Sequence, residues 1–370
     1  MIAAERVTVD LGARSYDIVV GSGLLERAGV ELAPVLRQPQ TIVITDSNVA
    51  ATPHLRAFEQ SLEAAGIAHT SLVLPPGEVA KSMAQLEELL DRLFNVGIDR
   101  ATTIVALGGG VVGDLAGFAA AVALRGIDYV QVPTTLLAQV DSAIGGKTGI
   151  NTRHGKNLVG AFHQPRLVLA DVAVLRTLPA RELRAGYAEV VKYGLVDRPG
   201  FFDWLEARGP EVLAGDPTAQ QYAVLESCRA KAAVVAADER EGGTRALLNL
   251  GHTFAHALEA ACGYGEELLH GEAVALGLVL AFDLSVRLGL CPAEDADRVR
   301  AHVGAVGLPV TLGAIRSAGF AADALLGAMA YDKKARAGRP RFVLTRGIGR
   351  AFTGVEIEPA QLKSLFEAAA

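Results

Sequence analysis

The sequence has few cysteines and no long uninterrupted apolar run, and it lacks the features of a secretory signal. Three cysteines, widely spaced among 370 residues, fit neither a disulfide framework nor a cysteine-based zinc site, which favours a reducing cytoplasm. No apolar stretch approaches membrane-spanning length. The N-terminus enters an alternating strand pattern directly, without a charged and then apolar leader. We therefore expect a cytoplasmic protein with no membrane partner.

Positive charge and aromatic side chains are also scarce. The formal net charge is −6 and aromatic residues make up 5% of the chain, so neither a basic surface for phosphates nor stacking platforms for bases are expected. This composition argues against a nucleic-acid partner. Apolar residues reach 51%, which is enough for substantial cores, and the length favours two domains.

The order of the sequence patterns predicts the fold class. An alternating hairpin pattern opens the chain, and short apolar strands at 41–45, 102–107 and 128–133 alternate with segments of helical periodicity. After residue 178 the chain is rich in Ala and Leu with helical periodicity, apart from one late strand at 341–345. We predict a Rossmann-like α/β domain with a mostly parallel sheet over 1–178. A mainly α-helical domain is predicted over 179–370.

A glycine-rich turn follows the second of these strands. Gly108 to Gly113 satisfies the pattern G-x-G-x-x-G between a strand and a helix, where a pyrophosphate can approach the backbone and the helix N-terminus. Asp46 ends an earlier strand and is a candidate for the hydroxyls of an adenosine ribose. The pattern favours a dinucleotide site, and a tight strand-to-helix turn without a ligand is the alternative.

Histidines are concentrated in the second half. At about 100° per residue, Arg245, Asn249, His252 and His256 share one sector of a predicted helix, and His270 opens the next helix. Imidazoles at this spacing suit a divalent metal, but hydrogen-bonded core histidines remain the alternative. Glu189, three residues before Lys192 on a predicted helix, is either half of a surface ion pair or a third, carboxylate ligand.

Lysines in unusual surroundings complete the pattern. Gly145-Gly146-Lys147 invites comparison with a P-loop, but position 141 is Asp where that motif needs its first glycine. Lys147 and Lys156 can still present cations to an anion, or be solvated surface lysines. Lys231 lies in an apolar helical run, where a lone cation needs a partner. Such a set suits a small substrate with phosphate and carboxylate groups.

Several blocks together resemble one enzyme family. They read LGGGVVGD, VPTTLLAQVDSAIGGKTGIN, GKN, AEVVKYG, LNLGHTFAHALE, LLHGEAVA and YDKK, in that order, and they are similar to 3-dehydroquinate synthase. The resemblance implies an NAD-binding α/β domain and a helical domain with a zinc or cobalt site. It implies conversion of 3-deoxy-D-arabino-heptulosonate 7-phosphate to 3-dehydroquinate and phosphate, the second step of the shikimate pathway.

The resemblance also assigns roles to individual residues. It makes Glu189, His252 and His270 the metal ligands and His256 a neighbouring hydrogen-bonding group. It implies NAD contacts at Asp46, Asn48, Glu78, Lys81, Gly109, Gly110, Val111, Val112, Gly113, Asp114, Thr134, Thr135, Lys147, Lys156 and Thr177. It implies substrate or catalytic contacts at Asp141, Lys147, Lys156, Asn157, Lys192, Lys231, Arg245, Asn249, Lys333 and Arg125. Arg125 matches an arginine that reaches a neighbouring subunit, which implies a homodimer.

Three other functions compete with this one. A sister sugar-phosphate cyclase, making a valiolone or a deoxy-inosose, would share the NAD and metal sites and differ in the substrate pocket. A metal-dependent polyol dehydrogenase would accumulate NADH, but it does not need phosphate-binding cations. A non-catalytic NAD- or metal-sensing module would not need the full set of cations and ligands.

Overall fold

A computed structural model describes residues 3–263, 265, 267–315, 322–330 and 341–369. The strands are β1 (Glu5–Val9), β2 (Tyr16–Gly21), β3 (Gln40–Asp46), β4 (Ala68–Leu74), β5 (Thr103–Gly108), β6 (Asp128–Pro133), β7 (Lys147–Thr152), β8 (Gly155–Phe162), β9 (Leu167–Asp171), β10 (Arg341–Thr345) and β11 (Ala351–Glu356). The α-helices are α1 (Ala28–Leu32), α2 (Ser47–Ala50), α3 (Pro53–Ala64), α4 (Met83–Val96), α5 (Gly110–Val122), α6 (Ala180–Asp197), α7 (Pro199–Leu213), α8 (Pro217–Ala237), α9 (His252–Ala261), α10 (His270–Arg287), α11 (Ala293–Ala305), α12 (Ala322–Ala330) and α13 (Pro359–Ala369). Short 3₁₀ helices include Val172–Thr177 and Thr244–Asn249, and a π-helix spans Ala138–Ser142.

The chain divides into two compact units. The first comprises residues 1–179 and 217–240, and the second comprises 180–216 and 241–370. The sequence predicted a single boundary at 178, which would place α8 in the second domain, whereas the first compact unit includes it. Helix α8 belongs to the first unit because it is tied there: Gln221 donates to the carbonyl of Ala3, and Arg229 pairs with Glu5.

The first unit is built on a seven-stranded sheet in the order β1-β2-β9-β6-β5-β3-β4. Only the pairing of β1 with β2 is antiparallel, and the other pairings are parallel. Strand β5 is buried throughout, as expected for a strand covered on both faces. The predicted mostly parallel α/β sheet and the opening hairpin are therefore confirmed. Strands β7 to β9 and β11 were not predicted. Strands β7 and β8 contain several Gly and polar residues, but β9 is an apolar, fully buried strand that the sequence analysis overlooked.

Helix α5 lies close against the sheet because it begins with small residues. A Cβ on Gly113 would lie 2.7 Å from Oε1 of Gln131 on β6, so a larger residue would force the Gln131 side chain to move. Val112 and Leu115 on the same helix are fully buried in the core that α5 shares with β5. The glycine pattern thus sets the distance between helix and sheet as well as leaving room for a ligand.

The second unit is mainly helical and is organised around α10, whose residues from Ala273 to Leu284 are almost all buried. A helix that is apolar all round needs partners on all sides, and α6, α9 and α11 pack on it. Two glycines bring these helices close. A Cβ on Gly271 would lie 1.8 Å from the carbonyl oxygen of Ala185 on α6, and one on Gly277 would lie 2.2 Å from that of Gly251.

One sequence prediction fails at the start of α9. The spacing predicted a single helix from Arg245 through His256, but the structure has a 3₁₀ helix ending at Asn249 and a new α-helix beginning at His252. Gly251 breaks the helix because its φ is +78° and its backbone touches α10 at Leu278. Arg245 and Asn249 therefore do not share a helix with the histidines.

Candidate active site

Three side chains of the second unit form a metal-binding constellation. Glu189 comes from the middle of α6, and His252 and His270 are the first residues of α9 and α10. Nε2 of His252 lies 3.4 Å from Oε1 of Glu189, and Nε2 of His270 lies 3.5 Å from the same atom. One ligand atom from each residue lies within 4.8 Å of the other two. The tight packing of α10 on α6 and on the start of α9 produces this convergence.

The donor set fits a divalent ion such as zinc or cobalt. Glu189 is fully buried, and neither of its oxygens has a hydrogen-bond partner of good geometry in the described ranges, although the Lys192 ammonium lies beside Oε2. A buried carboxylate needs compensation, and two imidazole nitrogens facing it are ligands that zinc accepts. The site can hold a metal with three protein ligands, which leaves coordination positions for a substrate.

The protonation of these groups supports the same interpretation. Burial alone would raise the pKa of Glu189, but Lys192 and the two imidazoles hold that pKa well below its usual range. Burial and the nearby Lys192 lower the pKa of His252 to about 4. His270 behaves oppositely: despite burial, its contacts with Glu189 and Glu259 raise its pKa to about 10. The two carboxylates therefore favour a positive charge at this position, as a metal-binding site requires.

His256 lies next to the constellation without joining it. Its ring centroid is 5.8 Å from that of His252 in an edge-on arrangement, and the group of converging ligand atoms does not include it. Arg245 and Lys192 are almost completely buried in the same unit. Asn249 donates to the Glu241 carboxylate at 2.8 Å. The Lys192 ammonium is paired with Glu189, and a guanidinium such as that of Arg245 is suited to binding a carboxylate or a phosphate.

Nucleotide-binding features lie at the carboxyl ends of adjacent strands in the first unit. Asp46 ends β3, the glycine turn follows β5, and Thr134 and Thr135 follow β6. Thr135 lies over Gly109, where a Cβ would be 3.0 Å from its Cγ2. The carboxyl ends of parallel strands are where α/β proteins bind nucleotides. Asp46 also caps α2 through the amide of Val49, a structural role that coexists with ligand binding.

The backbone of the glycine turn is the part available to a ligand. Gly110, Val111, Val112 and Gly113 form the first turn of α5, where amides point outward with a positive dipole. The side chain of Val112 is fully buried in the core, so only its amide can serve a cofactor.

A hydrogen-bonded network joins predicted cofactor and substrate residues. Lys81 Nζ donates to Asp114 Oδ2 and to Asn157 Oδ1, both at 2.6 Å. Asn151 connects Glu78 to Asn157: its side-chain amide donates a hydrogen bond to the Glu78 carboxylate, and its side-chain oxygen accepts one from the backbone amide of Asn157. Burial lowers the pKa of Lys81, but Asp114 and Glu78 outweigh it and raise that pKa, so the ammonium stays charged. Asn151 was not singled out from the sequence.

Asp141 and Lys231 form a second pair in this unit. Lys231 on α8 is 5% exposed, and its Nζ lies 2.8 Å from Oδ1 of Asp141 in the π-helix. The lone cation in an apolar helix, noted in the sequence, therefore has an acidic partner. Lys147 and Lys156 lie on the β7–β8 hairpin, Lys147 exposed and Lys156 half-buried.

Three of the remaining predicted residues are exposed. Arg125 is exposed and has a φ of +68°, which is uncommon for a residue other than glycine. Thr177 is exposed, with its hydroxyl 2.7 Å from Nε2 of His54. Asn48 is exposed in α2. Lys333 lies outside the described residues.

Sequence reasoning missed Glu259, which contacts a predicted ligand. Glu259 is 3% exposed on α9, and its Oε2 lies 3.3 Å from Nδ1 of His270. A signal was present: an acidic residue in the last turn of an apolar helix is disfavoured by the helix dipole and by burial.

None of the described helices is long and apolar enough to cross a membrane.

Comparisons with known proteins agree on one family. The model of the 3-dehydroquinate synthase N-terminal domain matches residues 71–185, and that of the C-terminal domain matches residues 186–335. The chain is 62% identical to a 3-dehydroquinate synthase of Rhodospirillum rubrum over 98% of this chain and 94% of the relative.

Two solved structures extend the comparison to the fold. One is a 2-epi-5-epi-valiolone synthase from Streptomyces hygroscopicus subsp. jinggangensis 5008 with NAD⁺ and Zn²⁺ bound. It has a TM-score of 0.87 and 31% identity over 97% of this chain and 98% of that one. The other is a 2-deoxy-scyllo-inosose synthase complexed with carbaglucose-6-phosphate, NAD⁺ and Co²⁺. Its TM-score is 0.88 and its identity 27%, over 99% of this chain and 100% of that one.

Proposed function

Because the chain belongs to the 3-dehydroquinate synthase family, we propose that it converts 3-deoxy-D-arabino-heptulosonate 7-phosphate to 3-dehydroquinate and phosphate. It is a carbocycle-forming enzyme of the shikimate pathway, which supplies aromatic amino acids. Its cofactors are NAD and a divalent metal ion, zinc or cobalt. The observation that carries the site assignment is the convergence of Glu189, His252 and His270 beside the buried Lys192.

The two cofactors supply what side chains lack. When bound, the metal polarises a substrate hydroxyl as a Lewis acid, and NAD takes up a hydride that it later returns. Glu189, His252 and His270 would hold the metal. Lys192, beside Glu189, would fix the neighbouring substrate hydroxyl by donating a hydrogen bond. Loss of phosphate needs a proton acceptor, and in this proposal the oxygen of the departing phosphate serves.

The cofactor would bind in the first unit. The amides from Gly109 to Gly113 would receive the pyrophosphate, and Asp46 would accept hydrogen bonds from the adenosine ribose. Lys81, held charged between Asp114 and Asn157, would position the Asn157 amide. Further contacts are proposed at Asn48, Glu78, Thr134, Thr135, Lys156 and Thr177.

The remaining cations would hold the substrate's two anionic groups in one conformer. Lys147, Lys156, Lys231 and Arg245 supply charge for phosphate and carboxylate, with Asp141, Asn249 and His256 as hydrogen-bonding neighbours. These residues need not exchange protons. Their contribution is to fix the geometry in which elimination and ring closure occur without loss of a reactive intermediate to water. The proposal also includes Lys333.

The sister cyclases are the second candidate. They share the fold at 27–31% identity, compared with 62% for the 3-dehydroquinate synthase of R. rubrum. The buried guanidinium of Arg245 favours a substrate that carries a carboxylate, because a guanidinium binds a carboxylate through two parallel charge-assisted hydrogen bonds. A phosphorylated sugar without a carboxylate should therefore be a poor substrate.

One assay tests this function directly. The purified protein is incubated with the heptulosonate phosphate, Zn²⁺ or Co²⁺ and NAD⁺ below the substrate concentration, and phosphate, 3-dehydroquinate and NADH are followed. We expect many phosphates released per NAD⁺ and no net NADH. A strong chelator should abolish turnover, and Zn²⁺ or Co²⁺ should restore it. Stoichiometric NADH would indicate a dehydrogenase instead, and turnover that is indifferent to chelation would exclude the metal site.

Assembly and location are further parts of the proposal. We propose a homodimer in which Arg125 reaches the phosphate site of the other subunit. Its exposure and its left-handed backbone support this role, since such strain is concentrated at functional positions. A cytoplasmic location is supported by the three cysteines, none of which forms a disulfide in the part of the chain that the structure describes.

A further inference from the structure

We propose that Glu259 is a positioning residue for the metal centre: it fixes the His270 imidazole through Nδ1, so that Nε2 is presented to the metal. This inference rests on the proposed function, because it assumes that Glu189, His252 and His270 bind a metal. Neither the sequence patterns nor the family resemblance assigned a role to Glu259.

The geometry of His270 carries the inference. Its two ring nitrogens face two different carboxylates: Nε2 lies 3.5 Å from Glu189 Oε1, and Nδ1 lies 3.3 Å from Glu259 Oε2. A ring held at both nitrogens has one tautomer and one orientation. With Nδ1–H directed at Glu259, the lone pair of Nε2 is left for the metal. Histidine ligands commonly donate their second nitrogen to a carboxylate in this way, which raises their basicity.

The location of Glu259 is unfavourable for a negative charge. It is 3% exposed, and it lies in the last turn of α9, where the helix dipole disfavours a negative charge. A carboxylate at this position costs free energy for two reasons: its charge is removed from water, and it lies at the negative end of the helix dipole. The imidazole of His270, at the N-terminus of α10, is one adjacent group that offsets this cost.

The two histidine ligands are supported differently. Nδ1 of His252 lies 3.2 Å from the backbone carbonyl of Leu250, a neutral acceptor that no side-chain substitution removes. His270 relies on a charged side chain instead. Glu259 is also seven residues after His252, two helical turns along the same face of α9. One helix therefore supplies one ligand directly and orients another ligand on α10.

Metal binding by the purified apoprotein tests the proposal without reference to turnover. Glu259→Gln keeps the size of the side chain and removes its charge, and Glu259→Met also removes the acceptor. Because removing one partner of a buried charged pair destabilises a fold, thermal melting of the apo forms checks that both variants are folded at the temperature of the titration. We expect Zn²⁺ affinity, measured by competition with a chromogenic chelator, to fall roughly 10- to 100-fold in Glu259→Gln and further in Glu259→Met. The visible spectrum of bound Co²⁺ should also change.

Glu272→Gln is the matched control. Glu272 is only two residues from His270, but it bonds to Arg181 and to the amide of Leu269. Its substitution should leave the Zn²⁺ affinity and the Co²⁺ spectrum unchanged, and NAD⁺ affinity should be unchanged in all three variants. Wild-type Zn²⁺ affinity and an unaltered Co²⁺ spectrum in Glu259→Gln and Glu259→Met would overturn the role of Glu259 alone. A native protein that binds neither ion would overturn the proposed metal centre, and this inference with it.

Discussion

Gly271 lies directly against Ala185, so closely that a Cβ on residue 271 would be 1.8 Å from the Ala185 carbonyl oxygen. Residue 271 follows the proposed ligand His270, and Ala185 is one turn before the proposed ligand Glu189 on α6. This contact therefore sets the distance between two of the three proposed metal ligands.

Gly271→Ala should separate these two helices. We expect a loss of about 3 kcal/mol in the free energy of unfolding, at the upper end for overpacking, and a loss of Zn²⁺ affinity. Urea unfolding and metal titration measure the two effects. Gly200→Ala is the control, because no atom lies within 4 Å of its Cβ position at the exposed start of α7, and it should change stability by less than about 1 kcal/mol. If Gly271→Ala and Gly200→Ala had the same free energy of unfolding and the same Zn²⁺ affinity, the contact between Gly271 and Ala185 would not set the spacing of the two helices.

Lys81→Met should leave the Asp114 carboxylate without its buried cation. We expect destabilisation of about 3 kcal/mol and a loss of NAD⁺ affinity, since Lys81 also holds Asn157. Asp114→Leu in addition should recover stability but not cofactor binding. A double-mutant cycle by urea unfolding and NAD⁺ titration separates the two effects. Additive stability losses would argue against the pair.

Lys147→Ala should lower kcat/KM roughly 100-fold, the effect of removing one charge-assisted contact to a substrate anion. The fold should be intact, because Lys147 is exposed at the start of β7. Steady-state kinetics and circular dichroism check both statements. Lys363→Ala removes an equally exposed lysine that pairs with Asp323, and its kinetics should match those of the native enzyme. A near-native kcat/KM in Lys147→Ala would show that Lys147 does not contact the substrate.

Arg125 should act on the site of the other subunit in the proposed dimer. Arg125→Ala and Lys147→Ala should each be nearly inactive. A mixed dimer of the two should contain one intact site, so random exchange should restore about a quarter of native activity. The measurement is turnover after mixing under conditions that allow subunit exchange. If the mixture stays as inactive as its components, Arg125 serves its own chain or none.

The three cysteines should differ in reactivity. Burial raises the pKa of Cys228 to about 12 and that of Cys291 to about 11, so both thiols stay protonated and unreactive near pH 8. Cys262 is only half-buried. Iodoacetamide at that pH, followed by mass spectrometry, should label Cys262 in the native protein and all three after denaturation. Labelling of native Cys228 at a comparable rate would contradict the packing of α8.

The sequence predicted the fold class because periodicity and burial act locally. Strands such as β3, β5 and β6 are apolar runs flanked by turn residues, and the glycine pattern marks the loop after β5. The β7–β8 hairpin was missed because its strands approach through Gly149 and Gly160, which carry no apolar signal. Long-range contacts of this kind leave no periodic trace in the chain.

For the site, too, the sequence indicated features that depend on local spacing and missed those that depend on contacts between distant segments. Spacing brought the histidines to attention, but it could not choose between His256 and His270, since that choice depends on how α10 packs. Gly251 ended the predicted helix for the same reason: its backbone fits against Leu278, a contact that spacing does not reveal. Glu259 was overlooked because its partner is on another helix.

The return of α8 to the first unit has a consequence for protein engineering. The polypeptide leaves that unit after residue 179, comes back for residues 217–240 and leaves again, so no single cut releases either half whole. A truncation at residue 178 discards Lys231, the counter-ion of Asp141, together with the helix that anchors the first strand. Anyone transplanting this nucleotide-binding half onto a different catalyst must carry two gene segments, joined by a new linker across the excised stretch.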